Sequence, residues 1–412
     1  MNYHTMMCKV IIHKYKISSY YKYHPMRITL CLLLLTCCIS GYSQNYLDDK
    51  DIRDVLMSWL KIRDNNAKDT TRKVHISLLP GASVTGEHQL IVSLNTTFFL
   101  GNPNTTKMST ANITPYTNFA GKWVLPIRSY VYFKHNIYNM TGDYRFMIYP
   151  QYTYGLGSNN STKAQSLLDY SQIRLHQFVT RRIVNNLRLG VGWQYDKYIG
   201  IGEEEVGVSV TDYMQYSNYD YSNFTSTGPA IQMLMDTRDN TVNASRGCYI
   251  ELDYRWSISS LGASSNWSSV YADGRYYADI SDAKRKIIAT KVMYWSKVSG
   301  NPHYLDLPSI GWDTYGRTGR GFTKNRFRSN AFVYLESEFR ADISKNGFWG
   351  YVIFANISSV TDINKYVFEN WHAAVGTGLR IKWNKVDDSN FCLDFGISKA
   401  DFSVRVALTE NF

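Results

Sequence analysis

The chain has 412 residues, 45 Lys and Arg against 34 Asp and Glu, and a formal charge of +11, with 15 % aromatic and only 19 % charged residues. A mean hydropathy of −0.31 excludes a helical-bundle membrane protein, and 33 Tyr against nine Pro favour half-exposed β-structure. This length fits two or three soluble domains or one large closed barrel.

Residues 26–44, "MRITLCLLLLTCCISGYSQ", place one cation, Arg27, before an apolar run over residues 28–39, then end on the small residues Gly41 and Ser43. The run falls short of the ~20 residues that cross a bilayer as a helix, so it reads as a secretory signal peptide cut before Gln44. Residues 1–43 are assigned to this leader, with Met26 as the expected start. A lipoprotein cut at Cys37 or Cys38 is the other reading, but neither cysteine follows Gly, Ala or Ser.

Without the leader the charge falls by five cations to +6, and of six cysteines only Cys248 and Cys392 remain. Two distant cysteines make neither a disulfide framework nor a metal motif. The small basic excess suits anionic lipid head groups and does not call for nucleic acid.

Residues 44–73 form the next segment. Ile52, Val55, Leu56, Trp59 and Leu60 follow the spacing of one helical face, with Asp48 or Asp49 as candidate cap. From Val74 onward the period is two. "VYLESEFR" sets Val333, Leu335 and Phe339 against Glu336, Glu338 and Arg340. "VGTGLRIKW" sets Val375, Leu379, Ile381 and Trp383 against Gly376, Gly378, Arg380 and Lys382. In "FCLDFGI", Phe391, Leu393, Phe395 and Ile397 oppose Cys392, Asp394 and Gly396. In "FSVRVALTENF", Phe402, Val404, Val406, Leu408 and Phe412 share one parity. "GNPNTTKMSTANITP", "GLGSNNSTKAQS" and "YSNYDYSNFTSTG" read as loops.

Charge beside glycine on one parity, with apolar residues ending in Trp and Phe on the other, is what a membrane barrel needs: a lipid-facing band, aromatic girdles and a polar lumen. A sheet in lipid must close, because its edge amides find no water there. The predicted fold is therefore all-β, a transmembrane antiparallel barrel over residues 74–412. Its 338 residues from position 75 accommodate roughly sixteen strands at ~10 residues each plus turns and loops. A soluble secreted β-protein is the competing reading.

Four stretches then resemble the BamA/TamA-like outer-membrane assembly factor superfamily, the bacterial surface antigen barrels, in a stand-alone, Bacteroidota-type form. They are "ISLLPGASVTGEHQLIVSLNTTFF", "YPQYTYGLGSNN", "DTRDNTVNASRGCYIEL" and "RTGRGFTKNRFRSNAFVYLESEFR". The resemblance covers about residues 75–412 and implies an outer-membrane location, with lipid and lipopolysaccharide as surroundings. It also implies that the loop containing Arg320, Gly321 and Phe322 folds inward, with Arg326 and Arg328 beside it. Glu336, Glu338 and Asp394 are the candidate lumenal partners, since a loop of five cations has no acid of its own and a bidentate Arg–carboxylate pair fixes geometry. An exposed loop binding lipopolysaccharide phosphates is the alternative.

Asp236, Arg238, Asp239 and Gly247 match the family's periplasmic hairpin, and Phe412 its terminal insertion signal. Two departures are Asn356 and Ser358, where the family has an acid and a glycine. About thirty residues precede the barrel, too few for POTRA domains, so partner proteins of the outer membrane or periplasm are expected in their place. The implied function is assistance in protein insertion or translocation. A passive pore or receptor subunit is the alternative, and a lipase-like barrel a further one.

No catalytic constellation, cofactor motif or metal spacing stands out: six histidines of the mature chain are scattered one per segment. The alternation itself is testable. Val404→Lys or Val406→Lys places a charge toward lipid and costs ~2–4 kcal/mol near the midplane. The expected outcome is loss of membrane insertion, and normal levels of either variant in the outer membrane refute the topology.

Overall fold

The structure, a computed structural model, describes residues 50–59, 74–85, 87–98, 100, 106–107, 109–118, 121–161, 164–207, 216, 222–281, 285–314, 316–385, 388–407 and 409–412. The leader, Asp48, Asp49 and residues 60–73 lie outside the described residues.

Among the described residues one helix, α1 (Ile52–Trp59), precedes the sheet. Asp51 and Asp54 cap it reciprocally: the Asp54 amide donates to Asp51 Oδ1 at 2.9 Å and the Asp51 amide to Asp54 Oδ2 at 3.1 Å. This is a capping box built from two aspartates. It starts the helix at Ile52, the first apolar position of the spacing, and later than a cap at Asp48 or Asp49 would.

All strands pair antiparallel with their chain neighbours. β1 (Val74–Thr85) pairs with β2 (Glu87–Phe98). β3 (Ser109–Ile113) and β4 (Tyr116–Thr117) both lie between β2 and β5 (Trp123–Phe133), so they are two parts of one barrel strand. β6 (Tyr138–Ile148) and β7 (Gln151–Thr153) are likewise one strand against β8 (Ala164–Val184). Pro115 and Pro150 stand at the two interruptions, where a residue without an amide proton breaks the ladder.

The ladder continues through β9 (Leu187–Gly207), β10 (Phe224–Asp236), β11 (Gly247–Ser257), β12 (Trp267–Asp279), β13 (Lys286–Gly300) and β14 (Ala331–Asp342). It ends with β15 (Trp349–Val360), β16 (His372–Asn384), β17 (Ser389–Ser398) and β18 (Phe402–Ala407). Cα atoms of β18 approach those of β1 within 8 Å. Eighteen segments thus make sixteen barrel strands. Strands reach further into the Asn-rich stretches than turn composition suggests, since β3, β8 and β10 claim residues 109–113, 164–166 and 224–228 of them.

The two parities separate as a lipid-facing barrel requires. Val191 is 67 % exposed, Val375 and Ile353 each 55 %, and Trp123 57 %. On the opposite parity Asp273, Lys291, Glu336 and Glu338 are buried. The last strand departs from the pattern. β18 stops at Ala407, and Glu410, Asn411 and Phe412 turn inward and are buried. Phe412 therefore leaves the parity of Phe402, Val404 and Val406, and packs with Ala244, Tyr277, Ile287 and Ala289 inside.

Helix α1 docks on the end of the barrel that carries the short turns. The Lys50 amide donates to the Asn346 carbonyl at 3.1 Å, the Lys385 amide to Asp51 Oδ2 at 3.3 Å, and Lys385 pairs with Asp54. The long 301–330 connection starts from the opposite end and runs into the lumen.

Candidate functional site

Residues 301–330 fold as a compact inward loop. His303 opens it by accepting from the Leu305 amide at 3.3 Å. Tyr304, Leu305 and Trp312 then pack on Tyr149, Tyr170 and Tyr198 of the wall. Asp313 holds the middle, accepting from the amides of Arg317 and Thr318 at 3.0 and 2.9 Å and from the Thr318 hydroxyl at 2.6 Å. The two arms meet where the Ile310 amide donates to the Phe327 carbonyl and the Asn325 amide to the Ile310 carbonyl. Asp306 sits beneath Tyr198 and Ser226, which donate to it at 3.4 and 2.6 Å, and burial pushes its carboxyl up to about 6.

Arg320 stands at the centre of the charged lumen. Its guanidinium contacts Glu336, Glu338 and, at 3.2 Å, Asp394. All four side chains are buried. Glu336 and Glu338 share one face of β14, while Asp394 comes from β17, so a single cation bridges two walls. The strands between complete the cradle: Phe354 lies under the guanidinium at 3.8 Å, and Asn356 donates to the Arg320 carbonyl at 2.8 Å. Asn356, in place of an acid, holds the backbone of Arg320 while the carboxylates hold its side chain. Ser358 is fully buried nearby.

The carboxylates are shared with wall cations. Arg340 donates to Glu338 at 2.6 Å and Arg380 to Asp394 at 2.5 Å. The C-terminal residues join the same network: Glu410 accepts from Arg380 and Asn390 at 2.8 Å each, and Asn411 donates to Glu336 at 3.1 Å and to the Arg317 carbonyl at 3.0 Å. Arg340 also donates to the Phe412 carbonyl at 2.8 Å. The charged parity of β14, β16 and β17 made Arg340 and Arg380 visible from sequence; nothing local marked Glu410 or Asn411 as their partners.

The other cations of the loop meet different fates. Arg326 reaches the Asn160 carbonyl and lies 3.6 Å from Asp401. Arg328 is fully buried with no carboxylate among its hydrogen-bond partners in the described residues, donating to the carbonyls of Tyr304 and Leu307 and to Asn325. Burial pushes its pKa below the ordinary arginine value. Lys324 is exposed.

The tip itself is fitted backbone to backbone. Gly321, at φ +90°, lies against Gly396, where a Cβ would stand 2.6 Å from the Gly321 nitrogen. The Gly321 amide donates to Ser403 at 2.8 Å, which ties the tip to β18. Phe322 packs with Ile310, Phe327, Val360 and Ala374, and Phe327 stacks on His372 at 4.0 Å.

The 237–246 hairpin closes the far end. Arg238 grips Asp236 through two bonds of 2.9 and 2.8 Å, and Asp239 accepts from the amides of Asn240, Ser245 and Arg246. Gly247, at φ +100°, leaves no room for a Cβ, which would meet the Thr237 carbonyl at 2.3 Å. Asn243 then reaches the Asp388 carbonyl and Arg285, so the hairpin ties to the neighbouring turns. Cys248 and Cys392 are both buried and free. Among the described residues no group of three His, Cys, Asp or Glu is placed to hold a metal ion.

The profile of the Omp85 superfamily domain matches residues 98–386. Among solved structures, BamA from Haemophilus ducreyi lacking POTRA domains 1–3 is similar at a TM-score of 0.53 and 13 % identity, over 82 % of this chain and 69 % of that one. CdiB from Acinetobacter baumannii gives 0.55 and 13 %, over 81 % and 59 %. CdiB from Escherichia coli gives 0.53 and 12 %, over 82 % and 68 %. No curated protein matches.

Removing one partner of a buried ion pair costs ~3–5 kcal/mol. Arg320→Ala is expected to lower the temperature at which folded and unfolded forms separate on gels, with Arg320→Lys intermediate because it lacks the planar fork; unchanged heat-modifiable migration counts against this. Gly396→Ala forces the loop tip to move and is expected to cost ~1–3 kcal/mol, read in the same assay.

Proposed function

The chain belongs to the Omp85 superfamily, and on that premise we propose that it is an outer-membrane barrel assisting the insertion or translocation of other proteins. The leader delivers it across the inner membrane. It is not an enzyme in this reading: the work is done by backbone pairing and by conformational change of the barrel.

The observation that carries the reading is the mismatch between the first and last strands. β18 has six residues and β1 twelve, because the residues that would prolong β18 are drawn into the lumen. An edge with unmet amides and carbonyls accepts an added strand. Local opening at this seam gives a client strand a place to pair. Arg320 acts as the lock, holding the loop against β14 and β17 and, through Gly321 and Ser403, against β18. Phe322 fastens the loop to the wall, Arg326 ties it to neighbouring connections at Asn160 and Asp401, and Arg328 holds the loop's own arms together.

Asp236, Arg238, Asp239 and Gly247 brace the periplasmic hairpin, and Phe412 serves as the signal for this chain's own insertion. Outer-membrane lipid and lipopolysaccharide surround it, and other outer-membrane or periplasmic assembly proteins deliver clients. The passive-pore reading has less support, since the lumen holds residues 301–330 and the C-terminal residues at the level where solute would pass.

The test is the folding rate of an unrelated client barrel in liposomes, with and without the reconstituted protein. Acceleration that is lost in Arg320→Ala is the expected outcome. No acceleration, together with steady ion conductance in the same vesicles, overturns the proposal in favour of a pore.

A further inference from the structure

A cavity of about 510 Å³ opens at the loop-bearing mouth of the barrel, apart from the Arg320 network. This volume lies within the ~300–1,000 Å³ of small-ligand sites. Its walls include Tyr216, Lys297, Asn301, Pro302, Asn330 and Tyr366, and among the described residues lining it there is no carboxylate.

Three features mark it as more than a gap between loops. Asn330 is 98 % buried; its amide donates to the Ile363 carbonyl at 3.0 Å, while its side-chain oxygen has no hydrogen-bond partner among the described residues. A buried acceptor without a donor is costly unless something supplies one. Lys297 forms no ion pair among the described residues, and its ammonium lies 5.3 Å from the centre of the Tyr366 ring. Tyr366 itself is held at φ +54°, a conformation uncommon for a bulky residue and one that accumulates at binding sites. Backbone bonds between Asp362 and Tyr366 and between Asp362 and Val367 keep it there.

The chemistry these groups share is specific. Tyrosine rings and a proline offer apolar surface, an amide oxygen waits for a hydroxyl donor, and one cation waits for an anion. A pyranose has apolar ring faces and a belt of hydroxyls, and a uronate or sugar phosphate adds the negative charge. We propose that this cavity binds an acidic saccharide. One ring face lies on Tyr366, a hydroxyl donates to Asn330, and the anionic group meets Lys297.

The test uses the full-length protein in phospholipid nanodiscs, with trigalacturonate as probe, maltotriose as its neutral counterpart, and binding read by intrinsic fluorescence. Wild type is expected to saturate with trigalacturonate and to bind maltotriose more weakly. Lys297→Gln weakens trigalacturonate by about tenfold, the scale of one charge-assisted contact. Tyr366→Ala, at an exposed position, weakens both sugars, and heat-modifiable migration shows that each variant is folded. Equal affinity of wild type and Lys297→Gln overturns the proposal. So does absence of binding, equal affinity for maltotriose, or displacement by inorganic phosphate at the same concentration.

Nanodiscs containing lipopolysaccharide separate the two sources of such a sugar. If wild type, but not Lys297→Gln, then loses affinity for trigalacturonate, the ligand belongs to the surrounding glycolipid. If affinity is unchanged, the ligand is a free polysaccharide. Either result supports the saccharide class.

Discussion

Glu336, Glu338 and Asp394 project into one small volume of the lumen, where like charges without a cation between them repel strongly because little water screens them. Arg340 answers Glu338 and Arg380 answers Asp394, and Arg320 is the cation that meets all three. It is not part of the wall; it arrives on a loop from the far end of the barrel. The loop therefore completes the charge pairing of the wall, and the wall completes that of the loop tip. Much of the interior follows from that mutual need. Once Arg320 is seated, Phe322 and Phe327 reach the apolar cluster around Phe332 and Val360, and Tyr304 and Trp312 reach the one around Tyr198.

The network also joins the two chain segments that the proposed opening of the barrel would move. Glu336 accepts from Arg320 and from Asn411, and Arg380 donates to both Asp394 and Glu410. Displacing the C-terminal residues alone would strip partners from the cluster that holds the loop. Displacing the loop alone would leave Glu336 with less to hold Asn411. Coupling of this kind favours two discrete arrangements over gradual loosening. Any opening has to be driven by contacts worth as much as a buried charge cluster.

The barrel was legible because its signal is geometric. A residue's parity decides whether it meets lipid or lumen, and Leu335, Val375 and Phe395 on one side against Glu336, Arg380 and Asp394 on the other state it without ambiguity. The inward position of Arg320 came with the family resemblance, while its partners were legible from an imbalance: residues 314–330 hold five cations and no acid, and the strand that follows carries Glu336 and Glu338. The C-terminal segment was not. Phe402, Val404 and Val406 continue an apolar parity that Glu410 interrupts before Phe412, but nothing local says where that acid finds its partners. The cause of the inward turn is distant, in Arg340 and Arg380, and tertiary contacts overrode the local pattern. The helix start was obscured for a different reason, since several aspartates precede Ile52 and only spatial proximity to Lys385 distinguishes Asp51 and Asp54.

The buried position of Phe412 has a practical side. Its backbone carbonyl is held by Arg340 and its ring lies among Tyr277, Ile287 and Ala289, so Phe412 is fixed inside at both its carbonyl and its ring. A purification tag or reporter fused after it would have to be housed within the lumen or would pull the end of the chain out of it. A tag placed in the exposed turn around Lys365 and Glu369 leaves that packing untouched, and a C-terminal fusion becomes in itself a probe of whether the tail must stay inside for the protein to work.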